Sequence, residues 1–141
     1  MERKPRVVFI CGRNAARSQM AEGFLRSLYG DSHEAASAGL MPYRVSRTAA
    51  RVMAEAGIDI SAHRSKAIGE LPGGSWDVVV TLCDEAACAP RGLLPVAGRY
   101  IHVPFPDPAA FRGSDEEVLA AYRDVRDRIE AWVRHEFGPG N

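Results

Sequence analysis

Cys11, Arg17 and Ser18 are spaced to do chemistry: they directly follow the apolar run Val7-Val8-Phe9-Ile10 and directly precede a helical pattern that begins near Gln19. The run predicts a strand, so a thiol stands at a strand end and a guanidinium at a helix start. Gly12, Arg13, Asn14, Ala15 and Ala16 lie between them. That length wraps one loop of backbone N–H groups around a tetrahedral oxyanion, with the helix N-terminus adding partial positive charge. The expected ligand is phosphate or an anion of its shape.

Each residue type has a task in such a loop. The thiolate is the nucleophile, and a cradle built for anions, with an arginine and a helix dipole beside it, favours that form of Cys11. Arg17 can fork two N–H donors onto two oxygens of the anion and follow them into a trigonal bipyramidal transition state, which a point-charge lysine does less well. Ser18 can donate its hydroxyl to the Cys11 sulfur. Asn14 tolerates left-handed backbone, and its side chain can hold neighbouring loop carbonyls. The bland reading of the same residues is a buried strand-end cysteine ahead of an ordinary helix.

The elements that must position these residues alternate. Glu34 to Ala38 reads as a weak second strand ended by Gly39, Asp77 to Leu82 as a third and Tyr100 to Val103 as a fourth. Met20, Phe24 and Leu28 recur at helical spacing until Gly30; Val45 to Ala56 reads as a second helix with Val52, Met53 and Ala56 inward. Ser114-Asp115-Glu116-Glu117 is a capping box that opens a last helix, with Val118, Tyr122, Val125, Ile129 and Trp132 as its buried stripe. Strands alternating with helices predict a parallel sheet with right-handed crossovers and helices on both faces. Ligands bind beyond the carboxyl ends of such strands, where Cys11, Cys83 and the 104–111 loop all fall.

Composition bounds the rest. A chain of 141 residues fits one domain, 1–141, with a real core. Eighteen basic residues balance 18 acidic ones, so no global field points to nucleic acid or an anionic membrane, and any anion preference is local. No apolar run approaches the roughly 18 residues of a membrane span, and the amino terminus lacks a signal-peptide core, so a cytoplasmic protein is expected. Three cysteines is an odd number, for which a catalytic or redox role is the better prior in a reducing compartment. His33, His63, His102 and His135 show no convergent spacing with the cysteines, so they are read as surface or structural residues and no metal site or cofactor is assigned.

Val7-Val8-Phe9-Ile10-Cys11, the loop to Arg17-Ser18, Gln19-Met20-Ala21-Glu22-Gly23, Ser37-Ala38-Gly39, Val80-Thr81-Leu82-Cys83-Asp84 and Pro104-Phe105-Pro106-Asp107-Pro108 occur in that order. Together they closely resemble the thioredoxin-coupled arsenate reductases, which share the low-molecular-weight protein tyrosine phosphatase fold. The resemblance covers nearly the whole chain. It implies a three-layer α/β sandwich, with a four-stranded parallel sheet of order 2-1-3-4 and helices on both faces. It also implies reduction of arsenate to arsenite by three cysteines: Cys11 attacks arsenate held by Arg17, Asp107 protonates the departing oxygen, Cys83 attacks the Cys11 sulfur, and Cys88 then takes the disulfide to an exposed position open to thioredoxin. The implied partners are arsenate, phosphate or sulfate as competing oxyanions, and thioredoxin, with the chain acting as a monomer.

The chain departs from these relatives at two places, and from the tyrosine phosphatases of the same fold at a third. Four residues separate Cys83 from Cys88, where many relatives have six; five residue steps reach about 17 Å extended, so a disulfide, which needs Cα atoms about 5–6 Å apart, closes through a turn. Ala109-Ala110 follow the Asp107-Pro108 pair, where tyrosine phosphatases of this fold usually place an aromatic residue that stacks on the phenol. That weighs against the alternative of a tyrosine phosphatase using Cys11, Arg17 and Asp107 without the relay. A third class, a non-enzymatic module binding arsenite or soft metal through Cys11, Cys83 and Cys88, needs neither Arg17 nor Asp107. Finally, some arsenate reductases hold potassium beside the loop with residues matching Asn14, Glu22, Ser37 and an aspartate that matches Lys66. The Lys66 ammonium is expected to replace the ion and pair with Glu22.

Overall fold

Val7, Val8, Phe9 and Ile10 are completely buried; because successive strand side chains point to opposite faces, a strand with no exposed side must be covered above and below. This strand, β1 (Arg6–Cys11), lies inside a four-stranded sheet with β2 (Glu34–Gly39), β3 (Trp76–Thr81) and β4 (Ala97–His102). The order is β2-β1-β3-β4, and every pairing is parallel. The expected topology, with β1 flanked by strands that follow it by crossover, is the one observed. Residues 3–84 and 91–139 are described by this computed structural model. Among them are three α-helices, α1 (Arg17–Tyr29), α2 (Arg47–Glu55) and α3 (Asp115–Phe137), and none is long and apolar enough to cross a membrane.

Helix ends follow local chemistry. Ser46 Oγ accepts from Ala49 N at 3.1 Å and caps α2, which therefore starts at Arg47 rather than Val45. Ser114 and Glu117 form the expected reciprocal capping box on α3. Helix α1 is different: it starts at Arg17, and its N-cap, Ala16, offers no side-chain acceptor. Its first N–H groups are thus left for another partner.

The core departs from the periodic reading at two helices and an edge. Ala49, Val52 and Met53 carry the buried face of α2, and Ala56 is exposed because it lies past the last turn. On α3 the buried positions run Tyr122, Val125, Ile129 and Val133, steps of three or four residues; Trp132 sits on the flank, half-buried, with its ring edge-on to Phe137 at 5.7 Å. Strand β4 begins at Ala97 rather than Tyr100, through pairing of Ala97 with Trp76. Gly98 and Arg99 are exposed there, as an edge strand permits, so backbone pairing and not an apolar run extends it.

Two glycines are required by close approach. A Cβ on Gly39 would lie 2.8 Å from Asn14 N and 2.9 Å from Gly12 O, inside the backbone of the 12–16 loop. One on Gly23 would lie 2.8 Å from Ile60 Cγ2. The first lets the end of β2 press against the loop, and the second lets α1 seat against the segment after α2.

Candidate active site

The 12–16 loop joins the end of β1 to the start of α1, and its carbonyls are all taken from outside. Leu40 N donates to Cys11 O, Met41 N to Gly12 O and Tyr43 N to Arg13 O. Gln19 Nε2 donates to Asn14 O at 3.1 Å, while Ser46 N donates to Ala15 O and Met20 N to Ala16 O. In a planar trans peptide the N–H points opposite to the C=O. Carbonyls drawn outward therefore turn the following N–H groups inward, where they join the uncapped N-terminus of α1 to form an anion nest. Asn14, at φ 52°, supplies the left-handed residue that such a curl needs.

A directed chain of hydrogen bonds reaches the thiol. Glu22, 4% exposed, accepts from Ser37 Oγ. Ser37 Oγ in turn accepts from Asn14 Nδ2 at 2.9 Å, and the second amide proton of Asn14 goes to Ser18 Oγ at 2.7 Å. Ser18 Oγ lies 3.0 Å from Cys11 Sγ, and once Cys11 is a thiolate, which can only accept, the hydroxyl proton points at the sulfur. A carboxylate can only accept and an amide NH2 can only donate, so Glu22 fixes the Ser37 proton, while Asn14, its Oδ1 held by Lys66 N and Gln19 Nε2, supplies a donor to each serine. The Asn14 side chain thus holds serine hydroxyls rather than loop carbonyls; Gln19 holds the carbonyl.

Gln19 is a part of the site that periodicity did not reveal. Fully buried on α1, it donates from Nε2 to Asn14 O, Asn14 Oδ1 and Arg64 O, and accepts at Oε1 from His63 Nδ1 at 3.0 Å. His63, read from sequence as surface or structural, is mostly buried here, and burial pushes its pKa below the ordinary value against the opposing pull of Glu22. Lys66 reaches the loop through its backbone: its N–H donates to Asn14 Oδ1 at 3.0 Å. Its ammonium donates to Arg64 O at 3.2 Å, and the Glu22 carboxylate pairs instead with Arg26, one turn along α1, at 2.6 Å. Burial pushes the Lys66 pKa down, with Glu22 opposing.

Arg17 and Asp107 close the site from the other side. The Arg17 side chain, 13% exposed, donates from Nη1 to Phe105 O at 3.0 Å and holds Nη2 3.7 Å from Asp107 Oδ2. Asp107 caps the short 3-10 turn Pro108–Ala110 through Ala109 N and keeps a half-exposed carboxyl. Both residues open on a cavity of about 480 Å³ whose walls include Cys11, Arg13, Arg112 and Tyr122. Arg112 and Tyr122 were not singled out for chemistry in the sequence, the one being a loop arginine and the other a member of an apolar stripe.

Cys83 lies two residues beyond β3. The N–H of Leu82 donates to Ile10 O at 2.9 Å, which extends the β1–β3 pairing to the residue before each cysteine, and Cys83 is 2% exposed. Cys88 falls outside the described residues.

The model of the low molecular weight phosphotyrosine protein phosphatase family matches residues 6–137. The chain belongs to this family. It is 41% identical over 123 residues to an arsenate reductase of Halalkalibacterium halodurans, spanning 87% of this chain and 88% of that one. It is 38% identical over 125 residues to the arsenate reductase of Bacillus subtilis, with the same coverage. Among solved structures, an arsenate reductase in the oxidized state superposes with a TM-score of 0.78 at 32% identity, over 92% of this chain and 94% of that one. A low molecular weight protein tyrosine phosphatase from T. tengcongensis superposes with a TM-score of 0.67 at 26% identity, over 92% of this chain and 95% of that one.

Proposed function

We propose that this chain reduces arsenate to arsenite, with Cys11, Cys83 and Cys88 as a relay and a thioredoxin as the dithiol that restores it. The observation that carries the reading is Cys83, buried at the end of β3 beside the strand that ends in Cys11; hydrolysis of a phosphoester needs no second thiol there. The names of the relatives support the same reading.

The steps balance as follows. The Cys11 thiolate attacks arsenic on an anion held by the inward N–H groups and Arg17. One As–O bond breaks, and its oxygen leaves as water after taking a proton from Asp107. Arsenic stays in oxidation state five, bonded to sulfur. Cys83 then attacks the Cys11 sulfur; the S–As pair of electrons goes to arsenic, which departs as arsenite, while two thiols become one disulfide. Cys88 exchanges onto Cys83 and frees Cys11, and the thioredoxin dithiol reduces the remaining bond.

The test is arsenate-dependent consumption of NADPH with thioredoxin and thioredoxin reductase. Steady oxidation that stops when arsenate is withheld is the expected result. A protein that hydrolyses para-nitrophenyl phosphate yet oxidises no NADPH with arsenate would be a phosphatase of the same fold instead.

A further inference from the structure

Tyr122 is the one member of the α3 core stripe with a polar end, and nothing in the packing uses it. The residue is 6% exposed, yet its hydroxyl makes no hydrogen bond to another described residue, whereas a buried tyrosine hydroxyl ordinarily finds a partner. Among the described residues no side-chain nitrogen or oxygen is both sealed from solvent and unpartnered, so the remaining exposure of Tyr122 includes the oxygen. The cavity it borders is the one floored by Cys11 and Arg17. Helix α3 packs there against the Pro108–Ala110 turn that Asp107 caps.

From this geometry we infer that the Tyr122 hydroxyl is an oxyanion-binding group: it donates a hydrogen bond to the tetrahedral anion seated on the 12–16 loop, from the α3 wall beside Asp107. The inference rests on the oxyanion role assigned to that loop. The loop N–H groups and Arg17 grip the anion from below and one side, and Tyr122 adds a neutral donor on the Asp107 side. A neutral donor suits that position, since a further cation beside a carboxyl favours its ionised form and so depletes the protonated acid. The side chain is also rigid, with two torsions to fix, so ordering the donor costs little.

Tyr122→Phe removes the oxygen and keeps the ring that fills the core. Inorganic phosphate serves as a non-reacting probe. In calorimetric titration its dissociation constant should rise about tenfold or more in the variant, the size of one hydrogen bond to a charged acceptor. The KM for arsenate should rise in parallel while the thermal midpoint stays within about 2 °C of the unmodified protein's, as expected for a change that leaves packing intact. A phosphate affinity and arsenate KM within twofold of the unmodified protein would overturn the assignment of Tyr122. Failure of the underlying reading looks different: the unmodified protein itself would then bind no phosphate.

Discussion

At Cys83 a single sulfur atom separates two chemistries that share one loop. In the proposed mechanism, attack on an oxyanion uses Cys11, Arg17 and Asp107; reduction uses in addition a thiol that can strike the Cys11 sulfur. Cys83→Ser should therefore abolish multiple-turnover arsenate reduction and leave slow hydrolysis of para-nitrophenyl phosphate within about threefold, since that reaction uses only the nucleophile, the anion clamp and the acid. Cys11→Ser should abolish both. Retained steady-state reduction in the Cys83 variant would remove that residue from the relay. The same scale explains the loop's internal order. Glu22, Ser37, Asn14 and Ser18 form one hydrogen-bonded series that ends at Cys11, so the group facing the sulfur is held in place by residues that never touch it.

At the scale of elements, the loop depends on how closely the end of β2 approaches it. Gly39→Ala places a methyl group against Asn14 N and Gly12 O; both are backbone atoms and cannot step aside as a side chain would. The loop must shift, so phosphate binding should weaken by more than tenfold and arsenate reduction with it, while the helices retain their circular dichroism. Unchanged phosphate affinity would show that the loop tolerates the displacement.

A second element contact carries a pH signature. Glu55, at the end of α2, accepts from Arg123 and Arg126 of α3, and the Arg123 hydrogen bond above all lowers its pKa to about 2. A carboxyl depressed in the folded state contributes stability above its unfolded value of about 4.5 and loses it as pH falls toward 2. The pair is solvent-accessible, so the effect is modest. Glu55→Gln should melt lower than the unmodified protein at pH 7, and the two melting curves should converge as the pH is taken below 3; a difference that persists undiminished at pH 2.5 would assign it to packing rather than charge.

At the scale of the whole molecule, the proposed relay has to carry oxidising equivalents outward. Cys11 and Cys83 are 3% and 2% exposed, and a protein reductant attacks a disulfide only where it can reach the sulfur. Cys88→Ser should therefore complete one turnover and stop with Cys11 bonded to Cys83, which peptide mapping after one equivalent of arsenate would reveal. Normal turnover of that variant with thioredoxin would make Cys88 a bystander and assign the exposed end of the relay to another group.

The sequence by itself determined what is contiguous. Cys11, the loop and Arg17-Ser18 lie within eight residues, so a strand end, an anion curl and a helix start could be read together; the left-handed Asn14 followed from the curl. The apolar run of β1 and the alternation of strands and helices were equally local signals, and they were enough to imply the parallel sheet. Tertiary structure decided what depends on distance between remote segments. Whether Lys66 or Arg26 pairs with Glu22 is a contest between two cations, settled by reach: Arg26 lies one turn away on the same helix, and the Lys66 ammonium finds a carbonyl first. Gln19 became the anchor of Asn14 and a partner of His63 only once residues 44 positions apart were brought together. Tyr122 fits a helical stripe as a hydrophobe, and only the cavity at its far end gives the hydroxyl a use. Periodicity records which face a residue takes, because burial is averaged over a whole element. It does not record the partner, because a hydrogen bond is decided within fractions of an ångström between segments whose separation no local pattern encodes.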